Sequence, residues 1–332
     1  MLDERKTSIL RAVVEEYIHT AQPVGSSHVA ASAQVAVSSA TVRNDMATLE
    51  AEGYLQQPHT SAGRIPTEKG YRWFVDALSE PSLDRAASQQ VRAFFNRAHG
   101  EIEQMLDDTT RLLSGLTDYA AVVVGPAQDG GTVRSVQVVR LAPRVALFVA
   151  VLSNGAVEKR TLDLVEDADE ARLASAAAHL SRYLIGSTLT AAPPVPQASA
   201  PDVQRIVAGV VNALPGPQDA EHDHVFVGGA SRMAEAFDAV ESVRSVLAIL
   251  EQQLVVVTLL RDVLDRGLTV AIGTETGIHR LAECSIVVAP YDIEGERAGT
   301  IGVLGPTRMN YSQALAAVAV VSNRLGRRLS EG

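Results

Sequence analysis

The sequence predicts an α+β multidomain protein: an N-terminal winged helix-turn-helix, then an α/β domain interrupted by a largely helical insertion. Three observations predict it. Three helical patterns and a short hairpin crowd into residues 1–78. Val-rich strand patterns fall in two separate blocks, 119–165 and 268–332. The stretch between them, 166–267, is mainly helical in its spacing. Residues 79–118 read as a linker and a long connecting helix.

The head begins with a helix over 2–20, whose Ile9, Leu10, Val13, Val14, Tyr17 and Ile18 share one side. Gln22-Pro23-Val24-Gly25 breaks it, and Ser26 or Ser27 is a candidate cap for a short helix over 28–33. A turn through 34–37 leads into a third helix, 38–53, which Ser38 or Ser39 can cap and Gly53 closes. Val42, Met46 and Leu49 form its apolar stripe. Ala40, Arg43, Asn44 and Ala47 occupy the opposite side, with Ser39 and Thr41 at its start. Small residues permit close approach to a groove, and Arg and Asn can each make paired hydrogen bonds to guanine or adenine edges.

Tyr54–Pro58 and Arg64-Ile65-Pro66 read as a hairpin around the polar turn His59-Thr60-Ser61-Ala62-Gly63. Its two prolines mark it as an edge ribbon. Thr67 can cap a helix to Leu78, with Tyr71, Phe74, Val75 and Leu78 inward. His59, Thr60, Ser61, Arg64, Lys69 and Arg72 are the expected contacts of this wing and its following helix with phosphate or the minor groove. The formal net charge of −10 argues against nucleic acid as a sum. Between Gln56 and Trp73, however, Arg64, Lys69 and Arg72 face Glu68 alone, so positive charge gathers where a wing would lie.

Two contiguous blocks make the pattern specific: Ser38-Ser39-Ala40-Thr41-Val42-Arg43-Asn44, and Pro58-His59-Thr60-Ser61-Ala62-Gly63-Arg64-Ile65-Pro66-Thr67 with Gly70-Tyr71-Arg72. They resemble the N-terminal domain of the HrcA family, bacterial heat-inducible transcription repressors. Gly299–Met309 likewise resembles that family's C-terminal region. The resemblance implies a GAF-like domain split by an inserted dimerisation domain. It also implies an inverted-repeat operator, the CIRCE element, and a GroEL-type chaperonin that maintains the DNA-competent state. The loop Ile272-Gly273-Thr274-Glu275-Thr276-Gly277 departs from the family pattern, in which Asn follows the Glu.

Beyond the linker, apolar residues from Val91 to Leu116 keep helical spacing, as one helix or two. Strands are expected at 119–124, 133–139, 145–152 and 156–164, with a hairpin turn at Ser153-Asn154-Gly155. A helix follows from Asp169 to Ile185, then a Pro-rich loop, and a helix that Asp202 could cap. A short strand is read at 224–227 and one helical run at 243–265. Strands at 268–272, 285–289 and 298–304 precede a last helix, 312–329, whose Arg324, Arg327 and Arg328 suit its negative end.

At 332 residues the chain has room for two or three domains. Its 46% apolar content supports ordinary cores, aliphatic because aromatics are only 4%. A lone Cys284 excludes a disulfide framework and suits a reducing cytosol. No signal peptide is read, and no apolar run reaches the roughly 20 residues that span a bilayer. His28 reads as a surface residue, and His222 and His224 alone do not complete a metal site. Gly228-Gly229-Ala230-Ser231 lacks the lysine of a phosphate loop. No catalytic constellation, metal or cofactor is expected. The expectation is a cytoplasmic, homodimeric DNA-binding repressor of chaperone genes. The alternative is a winged-helix regulator that senses a small metabolite through a GAF-like pocket.

Overall fold

Local capping and apolar spacing build the head. Asp3 accepts the Lys6 amide at 2.8 Å and starts α1 (Glu4–Thr20), which buries Ile9, Leu10, Val13 and Val14. Helix α2 (Ser26–Ala31) starts two residues before the expected position, and its N-cap is Gly25, not either serine. The Gly25 carbonyl takes the His28 and Val29 amides, so neither hydroxyl is needed. Helix α3 (Ser39–Ala51) is capped by Ser38, whose Oγ accepts the Thr41 amide at 3.2 Å. Val42, Met46 and Leu49 are buried, and Gly53 follows at φ +80. Asp45 is also buried, and Arg5 of α1 pairs with it at 2.7 Å.

The wing is a two-residue ribbon of β1 (Leu55–Gln56) and β2 (Ile65–Pro66), with Leu55 opposite Pro66. Val24 and Arg64 exchange backbone hydrogen bonds of 2.9 Å, which ties the ribbon to the α1–α2 connection. Gly63 permits that approach: a Cβ there would lie 2.4 Å from the Val24 carbonyl oxygen. Thr67 then caps α4 (Glu68–Asp76) through the Gly70 amide, and Tyr71 and Phe74 face inward.

This computed structural model describes residues 2–32, 37–59, 62–79, 82–97, 102–125, 131–153, 157–189, 192–214, 225–232, 237, 240–267 and 269–331. The expected turn at 34–37 therefore lies mostly outside the described residues, as do Thr60, Ser61, Asn154, Gly155, His222 and His224.

The connecting segment is two helices, α5 (Arg85–Arg97) and α6 (Ile102–Thr117). The central antiparallel sheet has the order β7-β3-β10-β9-β8, from β3 (Ala120–Val124), β7 (Val225–Gly228), β8 (Val270–Ile272), β9 (Cys284–Ile293) and β10 (Glu296–Pro306). Successive side chains point to opposite faces. Ala121, Val123, Ile301 and Val303 join α6, the last helix α11 (Tyr311–Ser330) and the interior of the head in one continuous core. Ala120, Val122, Ile286 and Val288 join a second core on the other face. That core includes Val256, Val257 and Leu260, from the later of two short helices, α9 (Val240–Leu250) and α10 (Gln253–Asp265). The single helical run expected over 243–265 is thus broken at Glu251-Gln252, where the two halves bend by 98°. No single described helix is long and apolar enough to cross a membrane.

The remaining strands, β4 (Val133–Ala142), β5 (Val145–Leu152) and β6 (Val157–Asp163), form a separate sheet in the order β4-β5-β6. They share a third core with α7 (Glu170–Leu184) and α8 (Pro201–Ala213). The boundaries expected at 165/166 and 267/268 therefore differ from those observed. The separate unit takes in these three strands and ends with α8, and β7, α9 and α10 return to the central sheet. Val-rich strands look alike in sequence, and which sheet a strand joins is fixed by partners far away in the chain. Asp202 does not cap α8: Ala200 is the N-cap, Pro201 opens the helix, and Asp202 pairs with Arg172 at 3.0 Å.

Candidate nucleic-acid interface

Helical spacing places Ala40, Arg43, Asn44 and Ala47 on one face of α3, and all four are exposed, as is Ser39. Thr41 is half-buried, its Oγ1 3.0 Å from the Ser38 hydroxyl. The side chains of Arg43 and Asn44 make no hydrogen bond or ion pair among the described residues. The buried stripe of Val42, Met46 and Leu49 holds the helix from behind. The face is thus supported on one side and unengaged on the other, with two bidentate-capable side chains adjacent on it.

The other cations of the head are committed elsewhere. Arg5 pairs with Asp45, Lys6 lies 3.6 Å from Glu52, and Arg11 reaches the Ala77 carbonyl. Lys69 is exposed, yet its Nζ donates to the Glu52 carbonyl at 2.8 Å and sits 4.3 Å from the Tyr54 ring centre. Lys69 therefore closes the C-terminal end of α3.

Arg64 and Arg72, expected at the wing, each lie against a carboxylate. Arg64 turns back onto α3 and pairs with Glu50 at 2.8 Å, its side chain only 19% exposed. Its Nε is buried with no hydrogen-bond partner among the described residues. Arg72 points away from the wing. Its Nε donates to Glu275 at 2.9 Å, its Nη2 to the other Glu275 oxygen and to the Val270 carbonyl, and its Nη1 lies 3.5 Å from Asp76. Burial opposes the Arg72 charge most, but Glu275 and Asp76 together outweigh it, so the guanidinium is held more firmly protonated than usual. Both arginines were read by their position beside a polar turn, and each found a carboxylate within reach. The two arginines of the basic patch expected between Gln56 and Trp73 are thus paired internally, whereas Lys69 keeps its charge at the surface. Among the described residues, Arg43 is the head's one arginine or lysine without a partner.

At the wing, His59 is exposed and its carbonyl accepts the Ala62 amide at 2.9 Å. Gln57, which the sequence did not single out, closes the tip by donating to the Ala62 carbonyl at 2.9 Å. Thr60 and Ser61 lie outside the described residues. Glu68, Thr274 and Glu275 were not singled out as a group. They meet at the junction of head and body, where Thr274 donates to Glu68 through its amide at 3.1 Å and its hydroxyl at 2.5 Å. The Asn missing after Glu275 was the one available signal, and it pointed to the loop but not to its partner.

Among the described residues no cluster of His, Cys, Asp and Glu could hold a metal ion. His28 is exposed and lies 3.1 Å from Glu16. Cys284 is buried at the start of β9, and burial, with the charge of Glu283 beside it, pushes its thiol up to about 12. A cavity of about 290 Å³ lies between β6 and α8, far along the chain from the α3 face; of the charges that line it, Arg172 pairs with Asp202 and Arg205 with Glu166.

Comparison with known proteins gives a consistent result. Residues 103–315 match a family model described as the HrcA protein C-terminal domain. The chain is 39% identical over 339 residues to the heat-inducible transcription repressor HrcA of Nocardia farcinica, covering 99% of this chain and 97% of that protein. It is 38% identical over 341 residues to the repressor of the same name from Acidothermus cellulolyticus, covering 100% of both. A solved structure described as a hypothetical protein at 2.2 Å resolution aligns with 100% of this chain and 99% of its own, with a TM-score of 0.71 and 23% identity, and so shares the fold.

Proposed function

The chain belongs to the HrcA family of heat-inducible transcription repressors, and we propose that it represses by reading operator DNA with the exposed face of α3. The family is one of regulators, not enzymes. The observation that carries the reading is the unengaged Arg43–Asn44 pair on a helix whose opposite side is buried. Arg43 is assigned to a guanine edge and Asn44 to an adenine edge, with Ser39, Ala40, Thr41 and Ala47 giving close approach. His59, Thr60 and Ser61 are assigned to the backbone beside the groove.

The operator is an inverted repeat of the CIRCE type, bound by a homodimer whose two-fold axis matches that of the DNA. Support for a dimer comes from the open face of the three-stranded sheet. There Val145, Leu147, Val149 and Val151 are half-buried, and Val139, opposite Leu147, is 43% exposed. The repressed genes are those of chaperones, the site of action is the cytoplasm, and a GroEL-type chaperonin biases the chain toward its DNA-competent state. Relatives that span the whole chain are heat-inducible repressors, and the metabolite-sensing alternative gains no observation.

The test is fluorescence anisotropy on the inverted repeat upstream of the organism's own chaperone operons. Wild type is expected to bind, and Arg43→Ala to lose affinity in a way that depends on one base pair of each half-site. An unchanged Arg43→Ala variant would overturn the assignment.

A further inference from the structure

The junction between head and body is more specific than a linker requires. Glu68 and Arg72 stand one turn apart on α4 and carry opposite charges, so they share a face. Each is matched by a complementary group on the turn 273–276 (a short 3-10 helix) and the strand β8 before it. Thr274 donates to Glu68 twice, and Arg72 forks onto Glu275 and the Val270 carbonyl. Glu275 is itself fixed, because its Oε2 accepts the Ile272 amide at 2.9 Å. Gly273 permits the approach, for a Cβ there would fall 2.1 Å from a Glu68 carboxylate oxygen. Tyr71, between the two charged residues, is buried against Tyr311 of α11 with ring centres 5.9 Å apart. The clamp sits over the continuous core that joins head and body.

The Arg72–Glu275 pair is partly exposed, with 24% and 32% of the side chains accessible, and pairs of that kind add little to stability. What a forked guanidinium–carboxylate contact fixes is direction. The reading face of α3 stays exposed while the clamp is closed, so the clamp does not occlude it. In a protein that meets two half-sites at once, simultaneous contact is sensitive to the angle and spacing of its heads.

We propose that Arg72 and Glu275, with Glu68 and Thr274, are positioning residues for operator binding: they set the angle of the DNA-reading head on the body. This inference rests on the inverted-repeat reading above. Arg72 then serves recognition without touching DNA.

The experiment compares full-length wild type, Arg72→Gln and Gly273→Ala on an inverted-repeat operator and on an isolated half-site. Amide hydrogen exchange is measured over 71–76. The two variants break the clamp from opposite sides, and only one removes a charge. Both are expected to weaken operator binding by about tenfold or more, to leave half-site binding within about twofold, and to speed exchange in α4. Equal loss on half-site and operator for Arg72→Gln, with a shallower salt dependence, would overturn the inference by making Arg72 a DNA contact. Unchanged operator binding in both variants would also overturn it, since the clamp would then orient nothing that matters. A wild type that binds neither DNA would remove the DNA reading itself, and this inference with it.

Discussion

Arg43, Arg64 and Arg72 show what a residue's position in sequence does and does not reveal. All three lie in or beside a winged helix-turn-helix and invite the same reading. Helix periodicity settles Arg43, because the buried stripe of Val42, Met46 and Leu49 leaves it nowhere to go but outward. It does not settle the other two, whose side chains follow Glu50 and Glu275. Glu275 is 203 residues away from Arg72 in the chain, and no local pattern contains it. Arg43→Ala is therefore expected to cost about 1–3 kcal/mol of operator binding and to relax preference at one base pair. Competition binding against single-base operator variants measures this. Arg64→Ala is expected to behave otherwise. It leaves Glu50 unpaired and should lower stability by roughly 1 kcal/mol, read by urea denaturation. The salt dependence of DNA binding should stay as in wild type, whereas loss of a phosphate contact would reduce the log–log slope by about 1. Cys284 adds a simpler expectation. Burial keeps its thiol protonated, with its pKa pushed up to about 12, so a maleimide should label it slowly in native protein and rapidly after denaturation.

At the scale of elements, local chemistry was a good guide wherever the cap and the stripe belong to the same segment. Ser38, one of the two serines offered for α3, and Thr67 cap the helices they were expected to cap. Ser26, Ser27 and Asp202 do not, since Gly25 supplies the extended residue before α2 and α8 opens at Pro201 with Ala200 as its cap, two residues before the expected one. The strands were legible as strands, but their partners were not. Nothing in the Val-rich text of 133–163 distinguishes a second sheet from an extension of the first, which is why the insertion was placed too late in the chain. The wing hairpin was legible as a paired ribbon, shorter than expected and with its tip residues Thr60 and Ser61 outside the described residues, and Gly63 has a clear physical role at its base. Gly63→Ala would drive a Cβ to 2.4 Å from the Val24 carbonyl oxygen, so either the ribbon or the α1–α2 connection must move. The expected cost is about 1–3 kcal/mol by denaturant unfolding. Faster amide exchange at Val24 and Arg64, which hold each other by two hydrogen bonds, should accompany it.

For the whole molecule, the head is part of the body's core, not a bead on a string. Ile9, Val42 and Leu49 belong to the same continuous cluster as Ile301 of the central sheet and Val318 of α11. A head held in this way keeps a fixed geometry, which is what two half-sites on one face of DNA require. The three-stranded unit leaves Val139 and Leu141 exposed beside the half-buried Val145, Leu147, Val149 and Val151, and the dimer proposed above would close this face. Charges placed there should separate the protomers. Val139→Glu combined with Leu141→Glu, both at exposed positions on β4, is expected to shift the sedimentation profile toward monomer and to abolish tight binding to the inverted repeat. The same variant should retain weak binding to a single half-site.

The most direct measurement is hydroxyl-radical footprinting of the full-length protein on the promoters of its own chaperone operons, with the Arg43→Ala/Asn44→Ala double variant beside it. The expected result is two protected patches related by two-fold symmetry, present for wild type and lost for the double variant at the same concentration. Protection that survives in the double variant, or no symmetric protection by wild type at any salt or chaperonin concentration, would contradict the assignment of α3 as the helix that reads the operator.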